Sequence, residues 1–166
     1  VKSIIQIAKQ SPSGVNTQPW NVYVLSGDAR DKLVNEATSR YDQGKMDGQE
    51  YLVYPKEMPD WYKERRRAVG WAMYGAIGIE KGDTEKMMAQ GRKNYEFFGA
   101  PVGIFITVKN CVGPNGWGHV GHFIQNVCLL AIENGLATCL QEAWAELPKL
   151  VREHVDYPED ETLWCG

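Results

Sequence analysis

Ser13, Asn16 and Gln18 fall within one ten-residue stretch, Ser11-Pro12-Ser13-Gly14-Val15-Asn16-Thr17-Gln18-Pro19-Trp20, and each carries a side chain able to hydrogen-bond a planar, polar ligand. Pro12 and Pro19 hold φ at about −65° and remove two backbone donors. Gly14 permits close backbone approach. Such a stiffened loop loses little entropy when its polar groups engage a ligand. The same residue types also build an ordinary capped turn leading into a strand, and composition alone leaves both readings open.

Other residues suggest rival chemistries. Gly116-Trp117-Gly118-His119-Val120-Gly121 spells GxGxxG between an apolar strand and a helix. A dinucleotide fingerprint needs its first glycine at the very end of the strand, whereas several residues intervene here and Trp117 and His119 crowd the variable positions. His119 and His122, three apart on a helix, have a spacing that two metal ligands could use. No HExxH pattern or nearby carboxylate completes a set, and no metal is expected. Ser13 lies outside any GxSxG elbow. Glu142, in Leu140-Gln141-Glu142-Ala143, reads by spacing alone as an exposed carboxylate in a turn.

The elements that must position these residues follow from periodicity. Residues 2–10 predict a short helix, stopped by Ser11-Pro12 because a residue before proline avoids the α region. Trp20–Leu25 predicts a strand, and a helix follows from Gly27-Asp28 with Asp28 as its N-cap. Breakers Gly44, Gly48, Pro55 and Pro59 make 43–59 a loop or lid. Helices are predicted over Asp60–Ile79 and from Asp83-Thr84 toward Phe98, with Gly99-Ala100-Pro101 as the stop. Val102–Val108 is almost continuously apolar, as a strand covered on both faces should be. A Gly-rich loop, Cys111–Gly118, leads to the most apolar helix, His119–Asn134, which ends at Gly135. Leu136–Leu140 predicts a short strand, Glu146–His154 a helix with Pro148 in its first turn, and Thr162–Cys165 a last strand. Strands and helices without a regular βαβ rhythm imply an α+β sheet packed by helices.

The 166 residues are 43% hydrophobic and 23% charged, enough for one globular domain spanning 1–166. A net charge of −3 gives no footprint for a nucleic-acid backbone. The basic run Arg65-Arg66-Arg67 sits beside acidic neighbours and reads as a solvated helix face. No stretch of these residues reads as a transmembrane run or a signal peptide, and four cysteines without CxxC spacing lead to the expectation of thiols in a reducing, cytoplasmic setting.

Three stretches resemble the flavin-dependent nitroreductase family. Ser11–Trp20 is similar to that family's N-terminal signature, a helix ending in Ser-Pro-Ser, then Asn-x-Gln-Pro-Trp and a strand. Tyr95-x-Phe97-Phe98-Gly99-Ala100-Pro101-Val102 resembles it before another strand. Gly121-x-Phe123-Ile124-Gln125-Asn126-Val127 resembles it at the start of a helix that ends Glu133-Asn134-Gly135-Leu136-Ala137-Thr138-Cys139. The resemblance implies a central, mainly antiparallel sheet packed by helices, and a homodimer with FMN at the subunit interface. It implies ping-pong hydride transfer from NAD(P)H to a nitroaromatic or quinone. Carried over by residue, it puts Pro12, Ser13, Gly14 and Asn16 of one subunit and Gln141, Glu142 and Ala143 of the other against the flavin. The amides of Glu142 and Ala143 fall near N5, where a donor would stabilise the reduced ring. Trp117, His119 and Phe123 fall on the substrate side, and no side chain need act as acid or base.

The family's phosphate-holding arginines, on an N-terminal Arg-x-Ser-x-Arg segment, and a basic residue near its C-terminus match nothing among these residues. The chain thus reads as an internal portion of a longer one. Two alternatives accompany this reading: a catalytically degenerate flavin-binding dimer, and a nicotinamide-only dehydrogenase resting on the GWGHVG segment.

Overall fold

The computed structural model describes residues 1–166. Its centre is a three-stranded antiparallel sheet in the order β1 (Trp20–Ser26), β2 (Val102–Lys109), β3 (Glu161–Cys165). Trp20 pairs with Val108 and Ser26 with Val102, and the β2–β3 register shifts between Ile106 and Thr107. Both faces of β2 are covered, in keeping with a sequence that is apolar over most of its length, Thr107 and the terminal Lys109 being the polar exceptions.

On one face, Phe105 packs with Leu33 and Ala37 of α2 (Gly27–Asp42), Leu150 and Val151 of α6 (Pro148–Val155), and Trp144. On the other, Ile106 and Val108 meet Ala8 of α1 (Lys2–Ala8) and Val120, Phe123 and Ile124 of α5 (Pro114–Glu133). The remaining helices are α3 (Asp60–Ala76), which buries no residue, and α4 (Thr84–Arg92).

Several boundaries differ from the sequence reading for identifiable reasons. The N-cap of α2 is Ser26, and Asp28 instead occupies the first turn, where its charge suits the helix dipole. α4 stops at Arg92 and passes into 3-10 turns over Lys93–Gly99, with Phe97 and Phe98 in the left-handed region at φ 52° and 50°. That reversal delivers Phe97 to the core, stacked on Trp144 at 4.7 Å. It also needs Gly103, since a Cβ there would lie 2.5 Å from the Phe97 ring. α5 begins at Pro114, because proline at the first helical position sacrifices no hydrogen bond.

Leu136–Leu140 forms no strand and is exposed throughout. Only Gln141 is tied to the sheet's end, exchanging both backbone hydrogen bonds with Gly166 at 2.8 and 3.1 Å. Segment 43–59 lacks helix and strand, as its breakers imply, yet it is strapped down. Asp47 Oδ2 accepts from the amides of Lys149 and Leu150 at 3.0 Å, capping α6, while its other oxygen meets Arg40 at 3.0 Å. Tyr51 donates to the Trp164 carbonyl at 2.7 Å.

Candidate functional site

The loop 11–19 is held in a conformation that L-residues resist. Val15, Asn16 and Gln18 have φ of 47°, 58° and 45°. Left-handed backbone is uncommon outside glycine and tends to persist where the surroundings over-determine it. Internal bonds supply part of the restraint: Ser13 Oγ accepts from the Gln18 amide at 2.9 Å, and the Gln18 side chain donates to the Lys9 carbonyl at 3.3 Å.

The rest comes from one stripe of α5. His119, Phe123 and Asn126 lie at i, i+4 and i+7, the spacing of a single helical face. His119 Nε2 accepts a hydrogen bond from the Gly14 amide at 3.0 Å. Phe123 stacks on Trp20, at 5.2 Å and 10° between planes. Asn126 donates to Ser11 Oγ at 2.7 Å, and Ser11 Oγ donates to the Ala8 carbonyl at 2.6 Å. The stripe therefore grips the loop at its start, middle and end. Accepting from Gly14 requires His119 Nε2 to be unprotonated, so a neutral ring carries its hydrogen on Nδ1. A Cβ on residue 14 would sit 3.1 Å from that nitrogen, which explains the glycine.

Held this way, Pro12, Gly14 and Asn16 are exposed and Ser13 is half-buried, presenting small polar groups on a rigid wall. Such a cradle suits the edge of a flavin ring, which needs close backbone approach and in-plane hydrogen bonds. The second predicted set is placed differently. Gln141 is buried, and its side-chain amide donates to the Asn94 carbonyl at 2.9 Å. Glu142 is exposed and opens a 3-10 turn, and the Ala143 carbonyl accepts from Tyr95 at 3.2 Å. No hydrogen bond joins Gln141–Ala143 to the loop within one chain.

Of the three residues expected on the substrate side, His119 alone hydrogen-bonds the loop. Phe123 is 1% exposed, committed to supporting Trp20. Trp117 is half-buried between Tyr51 and Trp164, at 4.9 and 5.5 Å. Nearby Cys165 is buried, which pushes its thiol up to about 12 and leaves it a poor nucleophile. The sequence places Ser11 in the loop motif but carries no signal for its bond to Asn126, nor for the bond of Tyr51 to Trp164. The supporting role of Asn126 does have a sequence signal, since it completes at i+7 the stripe begun by His119 and Phe123.

The GWGHVG segment lies inside α5, so its amides serve helical bonds rather than a strand-to-helix turn. Gly116 is there for packing: a Cβ would meet Val112 at 2.4 Å. The nicotinamide-only reading therefore loses the turn it required. The rings of His119 and His122 are 6.1 Å apart, with the former's Nε2 already engaged by Gly14.

An apolar cavity of about 550 Å³ lies between α1, β2 and α5, with Ile4, Ile106, Val127 and Ala131 in its walls and Leu136–Gln141 at its rim. Of its 22 lining residues 17 are hydrophobic, so it lacks the charged donors a phosphate requires.

The model of the nitroreductase family matches residues 1–166. The chain belongs to the nitroreductase family. Among relatives, it is 34% identical over 171 residues to a 4-nitrobenzoate reductase of Nocardioides sp., covering all of this chain and 68% of that protein. It resembles the crystal structure of an FMN- and NADPH-dependent nitroreductase from Sphigopyxis sp. strain HMH, with a TM-score of 0.92 and 35% identity over 99% of this chain and 74% of that one. A Mycobacterium smegmatis FMN-dependent nitroreductase solved with NADPH has a TM-score of 0.91 and 26% identity, over 99% and 73%. These likenesses span the loop, the α5 stripe and the sheet together, so the nitroreductase fold extends across the whole described chain.

Proposed function

We propose that this protein is an FMN-dependent oxidoreductase that uses NAD(P)H to reduce nitroaromatic acceptors, working as a homodimer in the cytoplasm with residues 1–166 forming one domain. The observation that carries this reading is the 35% identity and 0.92 TM-score to an enzyme described as FMN- and NADPH-dependent, across a region that includes the signature loop. Four free thiols suit a reducing compartment.

Bound FMN would supply hydride chemistry that no protein side chain can perform. The chain's own work is to bind, orient and exclude water. Pro12, Ser13, Gly14 and Asn16 form one wall of the proposed site. Asn16 offers an exposed amide, and Gly14 lets the backbone approach the ring. The Gln141–Ala143 turn of the second copy forms the facing wall. There the buried Gln141 side chain anchors the turn through Asn94, so the amides of Glu142 and Ala143 keep a fixed direction. His119 takes a double part, holding Gly14 and bordering the space for the acceptor. Phe123 supports the loop from behind through Trp20, while Trp117 packs on Tyr51 and Trp164.

Anaerobic spectroscopy of the purified protein with added FMN tests the reading. Bound yellow flavin that bleaches with NAD(P)H and regains colour with 4-nitrobenzoate is the expected result. Bound flavin that ignores the nucleotide would make the protein a binding module, and failure to bind flavin would reject the proposal.

A further inference from the structure

A second concave site lies away from the loop, on α3. This groove of about 440 Å³ is lined by Lys56 from segment 43–59 and by Lys63, Arg66, Arg67, Trp71 and Tyr74 of the helix. The helical residues recur at three- and four-residue intervals, so one face of α3 carries them all. Half-buried Gly70 lies on the same face, where the lack of a side chain keeps the groove open.

Its charge balance is unusual for a chain whose net charge is −3. Four cations line the groove and no carboxylate does. Lys63 has the one ion pair among them, with the highly exposed Asp60 at 3.3 Å, a contact that solvent screens. Arg66 meets only the weak acceptor Met58 Sδ at 3.8 Å and the face of Tyr54 at 5.1 Å. Arg67 and Lys56 have no ion-pair partner. Like charges gathered in a concavity repel one another, and an anion relieves that repulsion while accepting the guanidinium forks in pairs. The rings of Trp71 and Tyr74, 6.0 Å apart and inclined at 60°, give the groove an aromatic wall. A planar ring can pack against such a wall.

We propose that this groove is a binding site for an aromatic anion, a planar ring carrying a phosphate or carboxylate that the Arg66–Arg67 pair receives. The site's chemistry stands on the groove itself. Which source fills it rests on the proposed nitroreductase activity, for which a phosphorylated nucleotide donor and a carboxylated nitroarene are the two candidates.

Calorimetry on the full protein, with adenosine 2′,5′-bisphosphate, 4-nitrobenzoate and neutral nitrobenzene as probes, compares wild type with Arg66→Ala/Arg67→Ala and, separately, Lys56→Ala. The double variant should lose at least about tenfold in affinity for one anionic probe, Lys56→Ala should lose less, and nitrobenzene should be unaffected. The wild-type advantage should shrink as salt rises through the physiological range. Loss confined to the bisphosphate assigns the groove to the nucleotide, and loss confined to 4-nitrobenzoate assigns it to the acceptor. All three altered residues are exposed, so circular dichroism should match wild type. Anionic probes that bind all three proteins equally, or none of them, would overturn the proposal. Because binding is read without turnover, this outcome is independent of whether bound flavin bleaches.

Discussion

At the level of single residues, the contact with most consequence is Gly14 to His119. A neutral hydrogen bond of this kind contributes roughly 1 kcal/mol, yet here it fixes a loop containing three left-handed residues. His119→Leu removes the acceptor and should weaken FMN binding about fivefold, or ~1 kcal/mol, in a folded protein. His119→Gln retains a carbonyl acceptor of similar reach and should restore most of that loss. Flavin titrations on both variants decide it, and equal loss in the two would assign His119 a role in shape alone. The polar loop was readable from sequence because proline, glycine and small amides state their conformational preferences locally. The partner of Gly14 was not, since helical spacing tells which residues share a face and says nothing about which loop that face will meet. Phe123 shows the same limit in reverse: its place in the motif was clear, but only packing reveals that it is spent on Trp20.

At the level of elements, local chemistry located most helices and strands, and failures came where tertiary contacts outweighed it. Phe97 and Phe98 continue a helical pattern, yet burial of Phe97 against Trp144 and Phe105 favours a strained turn over another helical residue. Leu136–Leu140 has strand composition and no strand beside it. The packing of α2 on α6 includes a polar clasp with a readable pH dependence. Glu36 lies 3.2 Å from His154 Nε2 and 3.2 Å from Arg40. The His154 hydrogen bond, more than the Arg40 bond, holds the Glu36 carboxyl below its ordinary value of 4.5. A carboxyl depressed in the folded state adds stability that is complete above its unfolded pKa and is lost as pH falls through the folded one. Glu36 is partly exposed, so the contribution is screened to under about 1 kcal/mol. Thermal melts of Glu36→Gln and wild type should therefore differ most above pH 5 and converge as pH falls below 4.5 toward the folded pKa. A constant difference across that range would remove the clasp from the stability account.

At the level of the whole molecule, the sheet's coverage was legible in outline, because an almost continuously apolar strand such as β2 demands a layer on each side. What sequence pattern did not reveal is how much apolar surface one chain leaves uncovered. α3 buries nothing, although Val69 and Met73, with Ile77 just past its C-terminal end, form a stripe beside its basic face with exposures of 67%, 44% and 47%. α5 buries one side and leaves Leu129 and Ile132 exposed at 54% and 66% on the other. Exposed apolar side chains scattered singly are ordinary, whereas rows of them on two helices mark surfaces that are covered by something. A second copy of the chain is the proposed cover, in an arrangement that places both rows at the interface and sets the Gln141–Ala143 turn of one copy facing the Ser13–Asn16 loop of the other. Charging the rows should then separate the copies and spoil the flavin site together. Sedimentation of Val69→Asp/Ile132→Asp should give a monomer mass where wild type gives twice that value, and FMN affinity should fall by at least about tenfold in the same variant. Monomers that keep full FMN affinity would show that one chain suffices for the site, and the facing wall would then have to be sought within residues 1–166 of a single copy.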